Sequence, residues 1–243
     1  MKKKPNILIV IPARYNSSRF PGKPLMKING VPMIQRTYNQ ALKNQYTKDV
    51  IVATDSKKIK SFCDSNKIEV IMTENCNSGT DRVAAVSNLM TNFDCYVNLQ
   101  GDEPVINPKY INRCIETYIK YYPEYSVITG YGELNKDEAL LPQNVKVVLN
   151  KKEEALCFSR SLIPNNSKKF FNHIGIYCFS KIILDKFVNT DRTVNELSEK
   201  VEMIRMLDMG IKIKMFKMKK TYAVDIPSDI ENVERFLNEK KIN

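Results

Sequence analysis

Between Ile11 and Leu25 the chain reads IPARYNSSRFPGKPL. Three cations (Arg14, Arg19, Lys23), two hydroxyls (Ser17, Ser18) and Gly22 crowd one loop, which Pro12, Pro21 and Pro24 stiffen. The apolar run from Ile7 to Ile11 precedes it and reads as a buried strand. A cationic loop at the carboxyl end of a first strand is where an open α/β sheet binds a polyanion. Backbone N–H groups around Ser17 and Ser18 can form an anion nest. Arg14, Arg19 and Lys23 can neutralise the outer phosphates of a triphosphate. The loop lacks both G-x-x-x-x-G-K-[ST] and G-x-G-x-x-G, so it is neither a Walker loop nor a dinucleotide fingerprint.

Two distant carboxylates can complete such a site. Asp102 lies in VNLQGDEP, from Val97 to Pro104, where a strand ends in Gln100 and Gly101. A carboxylate there, beside a phosphate loop of the same sheet, is placed to hold Mg²⁺. Gly101 lets the backbone approach a ligand closely. Asp225, in Val224-Asp-Ile-Pro227, alone reads as a helix cap; beside Asp102 it would complete a metal site. The run SGTDR from Ser78 to Arg82 reads first as a helix N-terminus capped by its hydroxyls or carboxylate. With a bare Gly79, such an end can also seat a ligand edge.

The elements that must position these groups alternate from the start. The pattern predicts strands over 7–11, 50–53, 68–72 and 95–99, and helices over 33–42, 57–64, 81–90 and 108–121. That alternation implies a doubly wound α/β sheet, mostly parallel in its first half, with right-handed crossovers. The second half predicts strands over 126–131, 145–149, 155–159, 174–179, 211–216 and 221–224, and helices over 181–187, 194–207 and 227–238. Gly210 reads as the C-cap of the 194–207 helix. One domain over 1–243 follows, with a smaller, more antiparallel lobe: 1–124 mainly for the nucleotide, 125–243 mainly for a second substrate and dimerisation.

The totals exclude other classes. The chain has 243 residues, is 43% hydrophobic and 27% charged, and carries a net charge of +11. No apolar run approaches the roughly 20 residues that span a bilayer. Ile7 to Ile11 is too short for a signal-peptide core, so a cytoplasmic protein with no membrane partner is expected. Six cysteines without a C-x-x-C pair and a single histidine argue for buried thiols rather than zinc. Lysines are scattered in short runs, and no helix-turn-helix, finger or aromatic-basic platform accompanies them, so no nucleic-acid partner is expected.

These residues resemble the CMP-sugar synthetases, specifically the 3-deoxy-manno-octulosonate (Kdo) cytidylyltransferase family. The likeness runs in order through IPARYNSSRFPGKPL, IVATDS, SGTDR, NLQGDEPVI, NVKVVLN, ALCFSRSLIP, HIGIY and VDIPSDIENVE. The resemblance implies a nucleotide-diphospho-sugar transferase-like fold and a homodimer. It implies Mg²⁺-dependent attack of the anomeric hydroxyl of a 2-keto sugar acid on the α-phosphorus of CTP, releasing pyrophosphate. Arg14, Lys23, Asp102 and Asp225 would be catalytic, with Asp102 and Asp225 on the metal. CTP would meet Pro12, Ala13, Arg14, Ser17, Arg19, Lys23, Asn77, Ser78, Gly79, Arg82, Gln100 and Asp102. The anionic sugar acceptor would meet Gln100, Arg160, His173, Tyr177, Glu202 and Met203. Two departures concern that acceptor: Glu202-Met-Ile-Arg205 replaces E-Q-L-R, and the 165–172 segment is short. A modified octulosonate, another capsule acid or a phosphonate are the alternatives they open. A silent nucleotide-binding protein is the alternative of a different class.

Overall fold

The computed structural model describes residues 5–16, 20–219 and 221–240. Strand β1 (Ile7–Ala13) is followed by a turn of 3-10 helix at Lys23–Leu25 and the short pair β2 (Lys27–Ile28) and β3 (Val31–Pro32). Next come α1 (Met33–Leu42), β4 (Val50–Thr54), α2 (Lys57–Ser65), β5 (Val70–Met72), α3 (Gly79–Leu89), β6 (Cys95–Leu99) and α4 (Pro108–Tyr121). The chain continues through β7 (Val127–Leu134), α5 (Lys136–Leu140), β8 (Lys146–Leu149), β9 (Ala155–Ser159) and β10 (Phe170–Ser180). It ends with α6 (Lys181–Val188), α7 (Val194–Glu199), α8 (Glu202–Asp208), β11 (Ile213–Lys217) and α9 (Ser228–Lys240).

One mixed sheet of nine strands runs in the order β11-β7-β10-β6-β1-β4-β5, with β8 on β10 and β9 on β8. Strands β5, β4, β1 and β6 are parallel. Strand β10 is antiparallel to both β6 and β7. Successive strands β4 and β5 step outward on one side of β1, and the chain then returns to β6 on the other side. The crevice beyond the carboxyl ends of β1 and β6 is therefore the switch point at which such sheets bind ligands.

Both faces are covered, which is why the strands read as continuous apolar runs. Ile7, Ile9 and Ile11 pack with α1, α2 and α4. Leu8 and Val10 pack on the opposite face, in the cluster that holds α3, α6 and α8. A separate small cluster joins Phe20, Ile28 and Met33 to Val224, Val233 and Leu237. No helix among the described residues is long and apolar enough to cross a membrane.

Two expectations need correcting, and two further features were not foreseen. The 194–207 helix is two helices, broken where Lys200 takes a left-handed conformation (φ 54°, ψ 47°) and Val201 is extended. The break lets α8 fold back so that Arg205 reaches Glu196. Residues 221–224 form no described strand; Val224 instead donates its N–H to the Asp102 carbonyl at 3.0 Å. Strand β11 pairs parallel with β7, because three helices after β10 return the chain to the end of the sheet where β10 stops. Helix α5 was not foreseen; Asn135 and Glu138 close it with a reciprocal capping box.

Candidate active site

Parallel pairing of β1 with β6 brings their two following loops together at one cleft of about 310 Å³. Pro12 and Ala13, the last residues of β1, form one wall with Arg14. Gln100, Gly101 and Asp102 form the next, directly after β6. Only glycine fits position 101, since a Cβ there would stand 2.9 Å from the Pro12 carbonyl oxygen. The loop after β1 is closed by the Gly22 N–H donating to the Tyr15 carbonyl at 2.8 Å. Gly22 is left-handed at φ 73°, a conformation glycine adopts without steric cost. Ser17 and Arg19 lie outside the described residues.

Lys23 is the centre of the polar arrangement. Its Nζ donates to Asp102 Oδ2 at 2.8 Å and to the Val224 carbonyl at 2.7 Å. It also lies 3.7 Å from Asp225 Oδ1. Two carboxylates distant in sequence thus share one ammonium. Asp225 is held by Asp229, whose Oδ2 accepts the N–H groups of Asp225 at 2.8 Å and Ile226 at 3.0 Å. Behind Asp102, Glu103 is buried and accepts from the Thr221 hydroxyl at 2.9 Å. Burial pushes its carboxyl up to about 8, and the Asp102 and Asp225 charges add to that.

The third wall is the start of α3. Ser78 caps it, accepting from the Asp81 N–H. Asn77, Ser78, Gly79 and Arg82 line the cleft, and Gly79 abuts Gln100 Nε2 and Pro12. Arg82 is 3% exposed and spends its guanidinium on Asp55 at 2.8 Å and on Thr73, so it orders the loop leading to Ser78. Glu202, from α8, also faces the cleft. Its Oε2 accepts the Thr80 N–H at 3.3 Å, and burial raises its carboxyl above the ordinary range.

Of the residues expected on the acceptor, Gln100 and Glu202 line this cleft and the others do not. Met203 is 1% exposed and sits in the core beside Ile204 and Met206, so it offers the cleft no surface. Arg160 donates to the carbonyls of Glu199 (2.8 Å), Pro142 (3.0 Å) and Lys200 (3.4 Å); it braces the end of α7. His173 lies between the rings of Phe158 and Tyr177, at 5.0 and 5.4 Å. Its Nε2 is 3.1 Å from Thr129 Oγ1, and that hydroxyl donates to the Ile174 carbonyl. Burial lowers the His173 pKa to about 4. The Tyr177 hydroxyl stands beside Gly175, next to Gln100. It lies behind the wall of the cleft, and burial together with the Glu202 and Asp102 charges raises it well above the usual phenol range.

Sequence reasoning missed Arg192 and Lys200, which line the cleft. No local signal separates them from the rest of the chain's 38 Lys and Arg residues; only the break after α7 brings Lys200 there.

The two carboxylates fit a hard divalent cation that takes oxygen ligands. Among the described residues no group of three or more His, Cys, Asp or Glu side chains gathers to hold a metal by itself. Mg²⁺ is commonly held by one or two carboxylates together with substrate phosphates, which is what this donor set can supply.

A family model described as cytidylyltransferase matches residues 8–241. The 8-amino-3,8-dideoxy-manno-octulosonate cytidylyltransferase of Shewanella pealeana is 41% identical over 239 residues, covering 94% of this chain and 97% of that protein. The 3-deoxy-manno-octulosonate cytidylyltransferase of Escherichia coli is 38% identical over 236 residues, 95% of each. A solved CMP:2-keto-3-deoxy-manno-octonic acid synthetase complexed with CTP superposes with a TM-score of 0.92 at 36% identity, covering 97% of this chain and 99% of that one. A solved Bacillus anthracis structure described as a putative glucose-1-phosphate thymidylyltransferase, at 14% identity and TM-score 0.67, shares the fold. Motif order, switch-point cleft and full-length likeness agree: this chain belongs to the cytidylyltransferase family, among the manno-octulosonate cytidylyltransferases.

Proposed function

We propose that this protein transfers CMP from CTP to the anomeric hydroxyl of a manno-octulosonate acid. The hydroxyl oxygen bonds to the α-phosphorus, the α–β P–O bond breaks, pyrophosphate leaves, and the hydroxyl proton goes to solvent or base. The observation that carries this reading is the convergence of Lys23, Asp102 and Asp225 at the carboxyl ends of β1 and β6. The relatives' names supply the nucleotide and the acceptor class.

Arg14 and Lys23 would bind the triphosphate and stabilise charge on the departing pyrophosphate, which is electrostatic work. The capped start of α3, with Asn77, Ser78 and Gly79, would seat the base edge, as the resemblance implies. Asp102 and Asp225 would hold Mg²⁺, which when bound neutralises phosphate charge and lowers the pKa of the attacking hydroxyl. Asp229 and Arg82 would keep these walls in register. A homodimer belongs to the same proposal, and sedimentation analysis checks it.

Pyrophosphate release from CTP and Mg²⁺, assayed with 3-deoxy-manno-octulosonate and its 8-amino analogue, tests the reading. Turnover of at least one acid is expected. Asp102→Asn should lower kcat by at least about 100-fold, the scale of losing one preorganised electrostatic group. CTP binding without turnover of either acid would point instead to a silent nucleotide-binding protein.

A further inference from the structure

The acceptor in the proposed reaction is an acid, and its carboxylate needs a cationic partner. Arg160, the expected candidate, is committed to three backbone carbonyls and stands off the cleft. Two other cations do line the cleft and belong to neither the phosphate loop nor α3: Arg192 and Lys200.

Both have charge to offer. Glu196, the carboxylate facing Arg192, is 1% exposed and already takes 2.7 Å bonds from Arg205 on each of its oxygens. Arg192 reaches the same carboxylate only at 3.3 Å, from a side chain that is 44% exposed. One carboxylate thus serves two guanidiniums, and the cluster keeps a net positive charge at the cleft. Lys200 adds another: its ammonium has no carboxylate partner among the described residues. Its backbone is fixed nonetheless, donating to the Glu196 carbonyl at 2.7 Å and accepting from Arg160. By contrast Lys23 is occupied by Asp102 and Asp225, and Arg82 by Asp55.

Resting on the transferase reading above, we propose that Arg192 and Lys200 form the subsite that binds the carboxylate of the acceptor acid and selects acids over uncharged sugars. The triphosphate keeps Arg14 and Lys23, and the acceptor's anionic group takes Arg192 and Lys200. A carboxylate accepts charge-assisted bonds from an arginine fork and a lysine together.

The test is steady-state kinetics on Arg192→Gln and Lys200→Gly with 3-deoxy-manno-octulosonate as acceptor. Glycine suits the left-handed backbone at position 200, so that variant keeps its fold. Each change should raise the acceptor KM roughly tenfold, the scale of one charged hydrogen bond, and leave the CTP KM within about twofold. Lys200→Arg should recover most of the affinity, and Arg192→Lys, which keeps the charge but not the fork, part of it. Preference for the acid over its C1 carboxamide, read from inhibition constants, should fall by the same factor. A KM increase confined to CTP, or no change in either KM, overturns the assignment. Calorimetric titration of the acid into protein loaded with the α,β-methylene analogue of CTP separates the two readings. Binding that the variants weaken, without turnover in the wild type, supports the subsite and overturns the transfer. No binding of either this acid or its 8-amino analogue to the wild type overturns both.

Discussion

Asp229 needs no contact with a reacting atom to matter. Its carboxylate holds the backbone of Asp225 and Ile226, and so sets where the second metal-binding candidate points. Asp229→Ala should cost about 1 kcal/mol, as loss of a helix-capping acceptor does, and raise the Mg²⁺ concentration needed for half-maximal rate. Asp229→Asn keeps an acceptor oxygen and should recover most of both; thermal melts and a magnesium titration check this. His173 makes a different prediction. Burial holds its folded pKa at about 4 against an ordinary 6.5. Between those values the unfolded chain takes a proton that the folded chain does not, so stability falls as pH drops from 6.5 toward 4. The loss is on the order of 3 kcal/mol at most. Urea midpoints at pH 7 and pH 4.5 should differ less in His173→Gln than in the wild type. The residue scale also explains why motif neighbours mislead. Arg160, His173 and Met203 stand in or beside recognisable runs, but packing and backbone carbonyls claim their side chains. No sequence pattern records which way a side chain is spent.

Elements were legible where a local signal governs them. Strands β1, β4 and β6 are short apolar runs bounded by polar loops, and α4 carries Pro108 in its first turn beside the capping Asn107. The α7–α8 break was not legible, because apolar spacing continues through it. What decides the break is a long-range contact: Glu196 and Arg205 pair only if the axis turns between them. Lys200 holds the turn in a conformation that costs a non-glycine residue about 1–2 kcal/mol. Lys200→Gly should therefore raise the unfolding free energy by up to about 1 kcal/mol, measured by urea denaturation, even as acceptor affinity falls. The turn after β6 answers oppositely. In Gly101→Ala the new methyl meets the Pro12 carbonyl oxygen, a backbone atom, so β1 and β6 must shift apart at their carboxyl ends. A loss of about 1–3 kcal/mol is expected, together with weaker CTP binding by titration.

For the whole molecule, the alternation of strand and helix announced the parallel sheet and its switch point, and with them the place of the cleft. It did not announce that the last helix packs against the segment that follows β1. Helix α9 contributes Val233 and Leu237 to the small core that also holds Phe20, Ile28 and Met33, so one apolar cluster ties the phosphate loop to the segment bearing Asp225. Leu237→Ala should cost about 2–5 kcal/mol. It should also raise the CTP KM although the residue does not line the cleft, a coupling that a change in either large core would not single out. The net charge of +11 is spread over the surface, so it favours encounter with anions in general and leaves selection to the cleft.

The ammonium of Lys23 between Asp102 and Asp225 acts as an internal counter-ion. Two acids that would otherwise repel each other are balanced by the polypeptide itself, so structural integrity does not require a divalent ion. Chelation should silence the protein without lowering its melting temperature, and restoring magnesium should revive it in full: a reversible switch rather than a scaffold.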